Sequence, residues 1–274
     1  MGQIYLKKLK IDIRTIKMAK TILITGASTG LGRELAEYLS QKDLCVYAGT
    51  RHQDKSDNPN IHFITLDVNS DKDCEQAIKT IIKEQNRIDV VINNAGVTLK
   101  GLSLDFDSTD LLDVINTNLV GSFRIIKASA THLKASKGRV INVTSINGFV
   151  SMPNFGLYCA SKFGLEALGM ALRYELGPGI KLTNVVPGAI RKVSDISNKG
   201  DDKNTARVKF PILKWLLPMA NSRQYCQAIY ELLESESAPA HVFVGFDAWV
   251  LYWLMKILPY TIFDKLMNFI WQRK

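Results

Sequence analysis

The sequence predicts an α/β fold: a doubly wound parallel sheet with helices on both faces. Three observations carry that prediction. Short apolar runs alternate with segments of helical apolar spacing along most of the chain. Several of those runs are apolar at successive positions, as in strands buried on both faces, rather than alternating as one-faced strands do. No composition break or internal repeat divides the 274 residues, so one large domain accommodates them better than two small ones.

Each element has a local reason. T-I-L-I-T at Thr21–Thr25 is a short apolar run that stops at Gly26, as a buried strand entering a turn does. Residues 31–39 carry apolar side chains at helical spacing. Residues 44–48 and 61–66 read as the second and third strands, and 74–82 as a helix. Residues 88–92 form a fourth strand, bounded by Asn93, Asn94 and Gly96. A long helical region spans 109–133. Arg139–Val143 is a fifth strand, 157–176 a second long helix, and 181–186 a sixth strand stopped by Pro187-Gly188.

Composition excludes several classes. Apolar residues make up 46% and charged residues 22%, which excludes wholesale disorder; eighteen Gly and eight Pro exclude a collagenous chain. Cys45, Cys74, Cys159 and Cys226 show no C-x-x-C spacing, so neither a zinc site nor a disulfide framework is signalled, and no metal is expected. Reduced thiols fit a cytoplasmic protein. The net charge is +9. Lys7, Lys8, Lys10, Arg14, Lys17 and Lys20, against Asp12, place +5 of it in the first 20 residues. The basicity is a tail rather than a basic face, and no nucleic-acid partner is expected.

The ends differ from the middle. Residues 1–17 mix apolar and basic residues without a signal-peptide h-region, and read either as an amphipathic extension on anionic lipid or, preferably, as a disordered leader before Met18. Residues 247–274 are unusually apolar, with Trp249, Trp253 and Trp271. The longest uncharged stretch there, residues 248–255, is far short of the ~20 apolar residues of a membrane span. A substrate wall, a homo-oligomer surface and a peripheral membrane contact remain as readings of this tail. The segment 192–222 follows a strand's carboxyl end, and its polar, charged part, residues 192–209, reads as a substrate loop or lid as readily as a solvated loop. The expected organisation is thus a 1–17 extension, an 18–246 domain and a 247–274 extension.

The first strand runs directly into T-G-A-S-T-G-L-G and a helix. Gly26 lets the backbone turn. Gly30 and Gly32 let it approach a pyrophosphate, which the free N–H groups of the helix N-terminus then hold. At the end of the second strand stands Thr50, where an acid would accept from both ribose hydroxyls. Arg51 follows, and no acid appears until Asp54. A cation there favours a 2′-phosphate, so NADP(H) is expected over NAD(H).

Tyr158 and Lys162 stand one turn apart in Y-C-A-S-K, on one helix face. A nearby ammonium stabilises phenolate, and a phenol so tuned exchanges a proton with a carbonyl or alcohol oxygen. Ser145, thirteen residues earlier and just past a strand, offers a hydroxyl to that oxygen. Asn118 lies inside a helical region that disfavours Asn; its carboxamide or a freed backbone carbonyl could hold a water for proton relay. Asn116 is the neighbouring alternative.

Together these residues resemble the short-chain dehydrogenase/reductase family. The matching elements are T-G-A-S-T-G-L-G, Asp67-Val68, N-N-A-G at 93–96, Asn118, Ser145, Tyr158 with Lys162, and Pro187-Gly188, in the family's order and spacing. The resemblance implies a Rossmann-type sheet of about seven strands in the order 3-2-1-4-5-6-7, with residues 241–245 as the seventh. It implies hydride transfer between a nicotinamide and a carbonyl or alcohol carbon. It implies catalytic roles for Asn118 (relay), Ser145 (oxygen anchor), Tyr158 (acid/base) and Lys162 (lowering the Tyr158 pKa and holding the nicotinamide ribose). The cofactor would run past Gly26, Ser28, Thr29, Gly30, Leu31 and Gly32 to Arg51, with Ser28 and Arg51 on the 2′-phosphate. Asp67 and Val68 would meet adenine, Asn94, Ala95 and Gly96 the ribose region, and Pro187, Gly188 and Ile190 the nicotinamide half. Two departures stand out. Lys192 occupies a place after Pro-Gly where the family often has Thr, with Ser194 beyond. Thr29 occupies one where NADP-preferring members often carry a base, so the NADP preference rests on Arg51.

The apolar tail resembles those of members acting on hydroxysteroids, retinoids or other lipids, which implies a lipophilic carbonyl or alcohol substrate. Two other functions compete: a nucleotide-binding regulator or scaffold with little turnover, and a membrane-docked interaction module. The full Asn-Ser-Tyr-Lys set argues for the enzyme, since binding alone has no need of it.

Overall fold

The computed structural model describes residues 19–52, 55, 58–191, 196–198 and 219–270. The 1–17 extension, most of the 192–222 segment, Asp54, Lys192, Ser194 and Trp271 lie outside the described residues.

Seven strands form one parallel sheet: β1 (Thr21–Thr25), β2 (Cys45–Thr50), β3 (Ile61–Thr65), β4 (Val90–Asn93), β5 (Arg139–Val143), β6 (Lys181–Pro187) and β7 (His241–Val244). Their spatial order is 3-2-1-4-5-6-7, as the resemblance implied. The helices are α1 (Gly30–Ser40), α2 (Asp71–Gln85), α3 (Ser108–Ile115), α4 (Gly121–Ser136), α5 (Gly156–Glu175), α6 (Ser222–Glu234), α7 (Phe246–Ile257) and α8 (Tyr260–Ile270). Every position of β1, β4 and β5 is buried, which explains why those runs do not alternate in polarity. The pleat still sorts them. Ile22, Ile24, Val90, Ile92 and Ile141 turn toward Leu35 and Leu39 of α1 and Tyr225 and Ile229 of α6. Leu23, Val91 and Val140 turn the other way, onto Ile78 of α2, Ile125 and Leu133 of α4 and Leu172 of α5.

One predicted element divides. The helical region expected over 109–133 is α3 and α4 joined by a π-helical turn at Asn116–Val120. The extra residue of that turn directs the Asn118 side chain onto the backbone of Val97, and Gly121 then packs against Val68, where a Cβ would come within 2.8 Å of Val68 Cγ2. Helical spacing persists through such a bulge, so periodicity could not reveal it.

The apolar tail folds as α7 and α8. Ala248 and Phe263 bury against Ile146 and Val150, in the segment immediately after Ser145. Among the described residues no helix is long and apolar enough to cross a membrane. Two short parallel pairs follow β6: Ile190–Arg191 with Ala220–Asn221, and Ile196–Asn198 with Thr98–Lys100.

Candidate active site

Sheet order reverses between β1 and β4, and a crevice opens there beyond the carboxyl ends of the strands. It holds a cavity of about 370 Å³. Every residue expected at the cofactor lines it, from Gly26 and Ser28 through Arg51, Asp67 and Asn94 to Gly188 and Ile190. Ser145, Tyr158 and Lys162 line it too, whereas Asn118 does not.

The cradle is built from close approaches. Gly26 (φ 64°) and Gly30 (φ 56°) adopt left-handed backbone that costs L side chains strain. A Cβ on Gly32 would lie 2.3 Å from the Gly26 carbonyl oxygen and 2.5 Å from Asn94 Nδ2, so that helix start admits only glycine. The Thr29 side chain makes no capping bond to α1 and the first turn of that helix carries no acid, and the positive end of α1 faces the cavity. These features fit a dinucleotide pyrophosphate. Thr25 braces the turn from below: its Oγ1 accepts the N–H of Asn94 (3.1 Å) and of Ala95 (3.0 Å).

The Asn94 side chain serves the protein rather than facing a ligand. Its Nδ2 donates to the carbonyls of Thr25 (3.0 Å) and Gly26 (3.2 Å), and its Oδ1 accepts from the Tyr225 hydroxyl (3.2 Å). At the adenosine end, Thr50 is buried and turns its hydroxyl onto the His52 carbonyl, while Arg51 is exposed at the cavity rim. Asp67 accepts the Asn69 N–H in a local turn (2.9 Å) beside buried Val68.

At the other end, α5 presents Tyr158 and Lys162. Tyr158 hydrogen-bonds with the hydroxyls of Ser145 and Thr98. The Lys162 ammonium lies 5.7 Å from the Tyr158 ring centroid and donates to the Val143 carbonyl (2.8 Å). The expected acidified phenol is not what this geometry produces. Burial pushes the Tyr158 hydroxyl up to about 12, and the bonds from Ser145 and Thr98 offset only part of that. Burial also pulls Lys162 down to about 8, partly opposed by Glu166. A desolvated ammonium that points at a carbonyl does little for a phenol beside it.

Asn118 is fully buried behind the cavity. Its Oδ1 accepts the Val97 N–H (2.7 Å) and its Nδ2 donates to the Val97 carbonyl and Ser161 Oγ (both 2.9 Å). The carboxamide is therefore committed to holding the Gly96–Val97 backbone, and of the two expected relay groups only the backbone carbonyl is left, bonded by Ser122 Oγ at 3.0 Å.

Several contributors escaped the sequence reading. Thr98 has no motif beyond following N-N-A-G. Asp247 opens α7, yet its buried carboxylate accepts the Ala189 N–H (2.7 Å), and a Cβ on Gly188 would strike it at 2.2 Å. The tail thus clasps the Pro187-Gly188 loop. Glu166 had a visible signal, one turn beyond Lys162.

Known proteins place this architecture. A family model described as short chain dehydrogenase matches residues 20–204. The chain is 36% identical over 191 residues to the 3-ketodihydrosphingosine reductase of Bacteroides thetaiotaomicron, covering 66% of this chain and 70% of that protein. It is 28% identical over 267 residues to the 11-beta-hydroxysteroid dehydrogenase-like 4A of Arabidopsis thaliana, covering 90% and 83%. Among solved structures, ElxO with NADP bound superimposes with a TM-score of 0.74 at 26% identity, covering 85% of this chain and all of that one (100%). The chain belongs to the short-chain dehydrogenase family. It is an NAD(P)-dependent oxidoreductase of the alcohol–carbonyl type.

Proposed function

We propose that the protein interconverts a lipophilic carbonyl compound and its alcohol with NADP(H), using Tyr158 as the acid/base. The observation that carries this reading is the convergence of Ser145, Thr98 and Tyr158 hydroxyls at one end of the dinucleotide cavity, with Lys162 behind them. A nicotinamide dinucleotide, when bound, supplies or accepts the hydride. Ser145 holds the substrate oxygen by hydrogen bond. Tyr158 donates its proton to that oxygen as the carbon becomes an alcohol, and takes it back in the reverse direction. With its hydroxyl near 12, the phenol keeps its proton at neutral pH, which suits reduction. Lys162, which lines the same cavity beside Tyr158, would hold the nicotinamide ribose, and Asn118 acts from behind by fixing the Val97 backbone.

Arg51 supports NADP(H) over NAD(H), since a guanidinium at the cavity rim pairs with a 2′-phosphate. The lipophilic substrate is supported by Phe149, Met152, Phe243 and Tyr252, an apolar wall beside Ser145. The names of the keto-sphingoid and hydroxysteroid relatives point the same way. Phe246, Trp249, Trp253 and Ile257 form one exposed stripe along α7, more than 40% accessible throughout. With the tail's amphipathic Trp and the basic excess of residues 1–20, this stripe fits a peripheral contact with an anionic membrane surface from the cytoplasmic side. A panel of lipophilic ketones and aldehydes with NADPH and NADH, read by loss of reduced-cofactor absorbance, tests the activity. Turnover with NADPH is expected, and none with any member would reject the reading. Flotation with phosphatidylserine vesicles tests the contact. Loss of binding in Trp249→Ser/Trp253→Ser is expected, and concentration-dependent dimers without flotation would assign the stripe to a homo-oligomer.

A further inference from the structure

A buried phenol outside the reacting cluster reaches the phosphate cradle from behind. Tyr225 lies in α6, which starts where the short strand Ala220–Asn221 ends. That strand pairs with Ile190–Arg191, and Ile190 lines the cavity. Asn221 caps the helix: its Oδ1 accepts the Gln224 N–H (2.9 Å), and Gln224 Oε1 accepts the Asn221 N–H (3.0 Å). Past this closed entry, Tyr225 turns into the core and is fully buried, in one cluster with Ile24 of β1 and Leu35 of α1. It does not line the cavity. Its hydroxyl donates to Asn94 Oδ1 at 3.2 Å. Burial holds that hydroxyl well above the usual phenol range, so it remains a donor at neutral pH.

The other end of the same carboxamide holds the turn. Asn94 Nδ2 donates to the carbonyls of Thr25 (3.0 Å) and Gly26 (3.2 Å). Rotated by half a turn, its oxygen would face those two carbonyl oxygens, so the donor side must point at the turn and the acceptor side at Tyr225. Gly26 is left-handed (φ 64°). Its carbonyl oxygen and Asn94 Nδ2 both crowd Gly32, where neither leaves room for a Cβ. Contacts therefore run without a gap from Tyr225 through Asn94 and Gly26 to Gly32 at the start of α1, and the last three of these residues line the cavity.

We propose that Tyr225 is a positioning residue for the phosphate cradle: its hydroxyl orients the Asn94 carboxamide, which holds the Gly26 turn and the first turn of α1 in place for a pyrophosphate. The inference rests on the reading of that cradle as a dinucleotide site. Without the hydroxyl, Asn94 Oδ1 loses its donor inside the fold, and the carboxamide can tilt away from the two carbonyls. The Asn94 backbone stays put, because Thr25 Oγ1 still accepts its N–H and that of Ala95. The effect is thus confined to the side chain and the turn beneath it.

Tyr225→Phe in the full chain keeps the ring and deletes only the hydroxyl. Its NADPH Kd, read by fluorescence titration, is expected to rise roughly three- to tenfold. The KM for NADPH should rise with it and kcat should stay nearly unchanged, since the cradle binds ground and transition states alike. Hydrogen exchange followed by mass spectrometry without cofactor should quicken over residues 25–32 and 94–96 while the strands keep their protection. In an Asn94→Ala background the same substitution should add nothing, because the route through the carboxamide is gone. Tyr225→Leu serves should the Phe variant fail to melt cooperatively. Unchanged NADPH affinity or unchanged exchange in a cooperatively melting variant would overturn the proposal, as would an equal loss in the Asn94→Ala background. A wild type that binds neither NADPH nor NADH would reject the dinucleotide reading alone, and the exchange rates would still decide whether the hydroxyl holds the turn.

Discussion

At the residue scale, chemistry was legible where a role needs one residue type at one spacing. Tyr158 and Lys162 show this, since only a helix turn brings them together. What the sequence hid was the balance of forces on them. Desolvation depends on what surrounds a group in three dimensions, and here it leaves the phenol protonated and the amine weakly basic. A consequence follows for stability. Lys162 falls from 10.5 in the unfolded chain to about 8 in the fold, so its burial costs stability below pH 8. That cost is relieved as pH rises from 8 toward 10.5, because the native state then carries one proton fewer. Lys162→Met should therefore be more stable than the wild type at pH 7, by roughly 1–3 kcal/mol after the lost Val143 bond is counted. The gap should narrow above pH 8; denaturant melts of both proteins from pH 7 to 10 measure it. For Ser145→Ala, loss of one donor to the developing oxygen charge should lower kcat by about 10²–10³, with little change in cofactor binding.

At the element scale, strands and most helices followed from apolar patterning, because burial on both faces of a parallel sheet is a property of residue type. The π-helical turn did not, because an inserted residue leaves spacing nearly intact. Nor did the clasp between α7 and the Pro187-Gly188 loop, which one carboxylate makes across 58 residues. Burial raises the Asp247 carboxyl above its ordinary value despite backbone donors. Its charged form therefore costs stability above the unfolded pKa. Asp247→Asn keeps an acceptor for Ala189 and sheds the charge, and should melt at or slightly above the wild-type temperature. Asp247→Ala strands the Ala189 N–H and should lose about 1–3 kcal/mol. Paired thermal melts at pH 7 distinguish them, and NADPH titration of the Ala variant should show weaker binding if the clasp shapes the loop.

At the scale of the whole molecule, sheet order could not be read from periodicity at all. It came through family resemblance, and the register pairs bear it out. The switch between β1 and β4 then determines where the cavity opens, lined by Arg51 and by Tyr158. Arg51→Asp should weaken NADPH by tenfold or more, about 1.4 kcal/mol, and leave NADH nearly unchanged; fluorescence titration with both cofactors checks it. A layer of register partners, Asn93, Asn142, Asn184 and His241, crosses β4, β5, β6 and β7 and was equally invisible in the sequence. Its members are far apart in sequence, and only strand register brings them into line.

Reduction of a lipophilic ketone by the wild type and by Tyr158→Phe, with NADPH binding measured on the same samples, isolates the role of the phenol. The phenol removed, turnover should drop by about 10²–10⁴ while NADPH still binds within a few-fold. Turnover retained within a few-fold in Tyr158→Phe would show that the proton comes from elsewhere, and the assignment of this site would have to be abandoned.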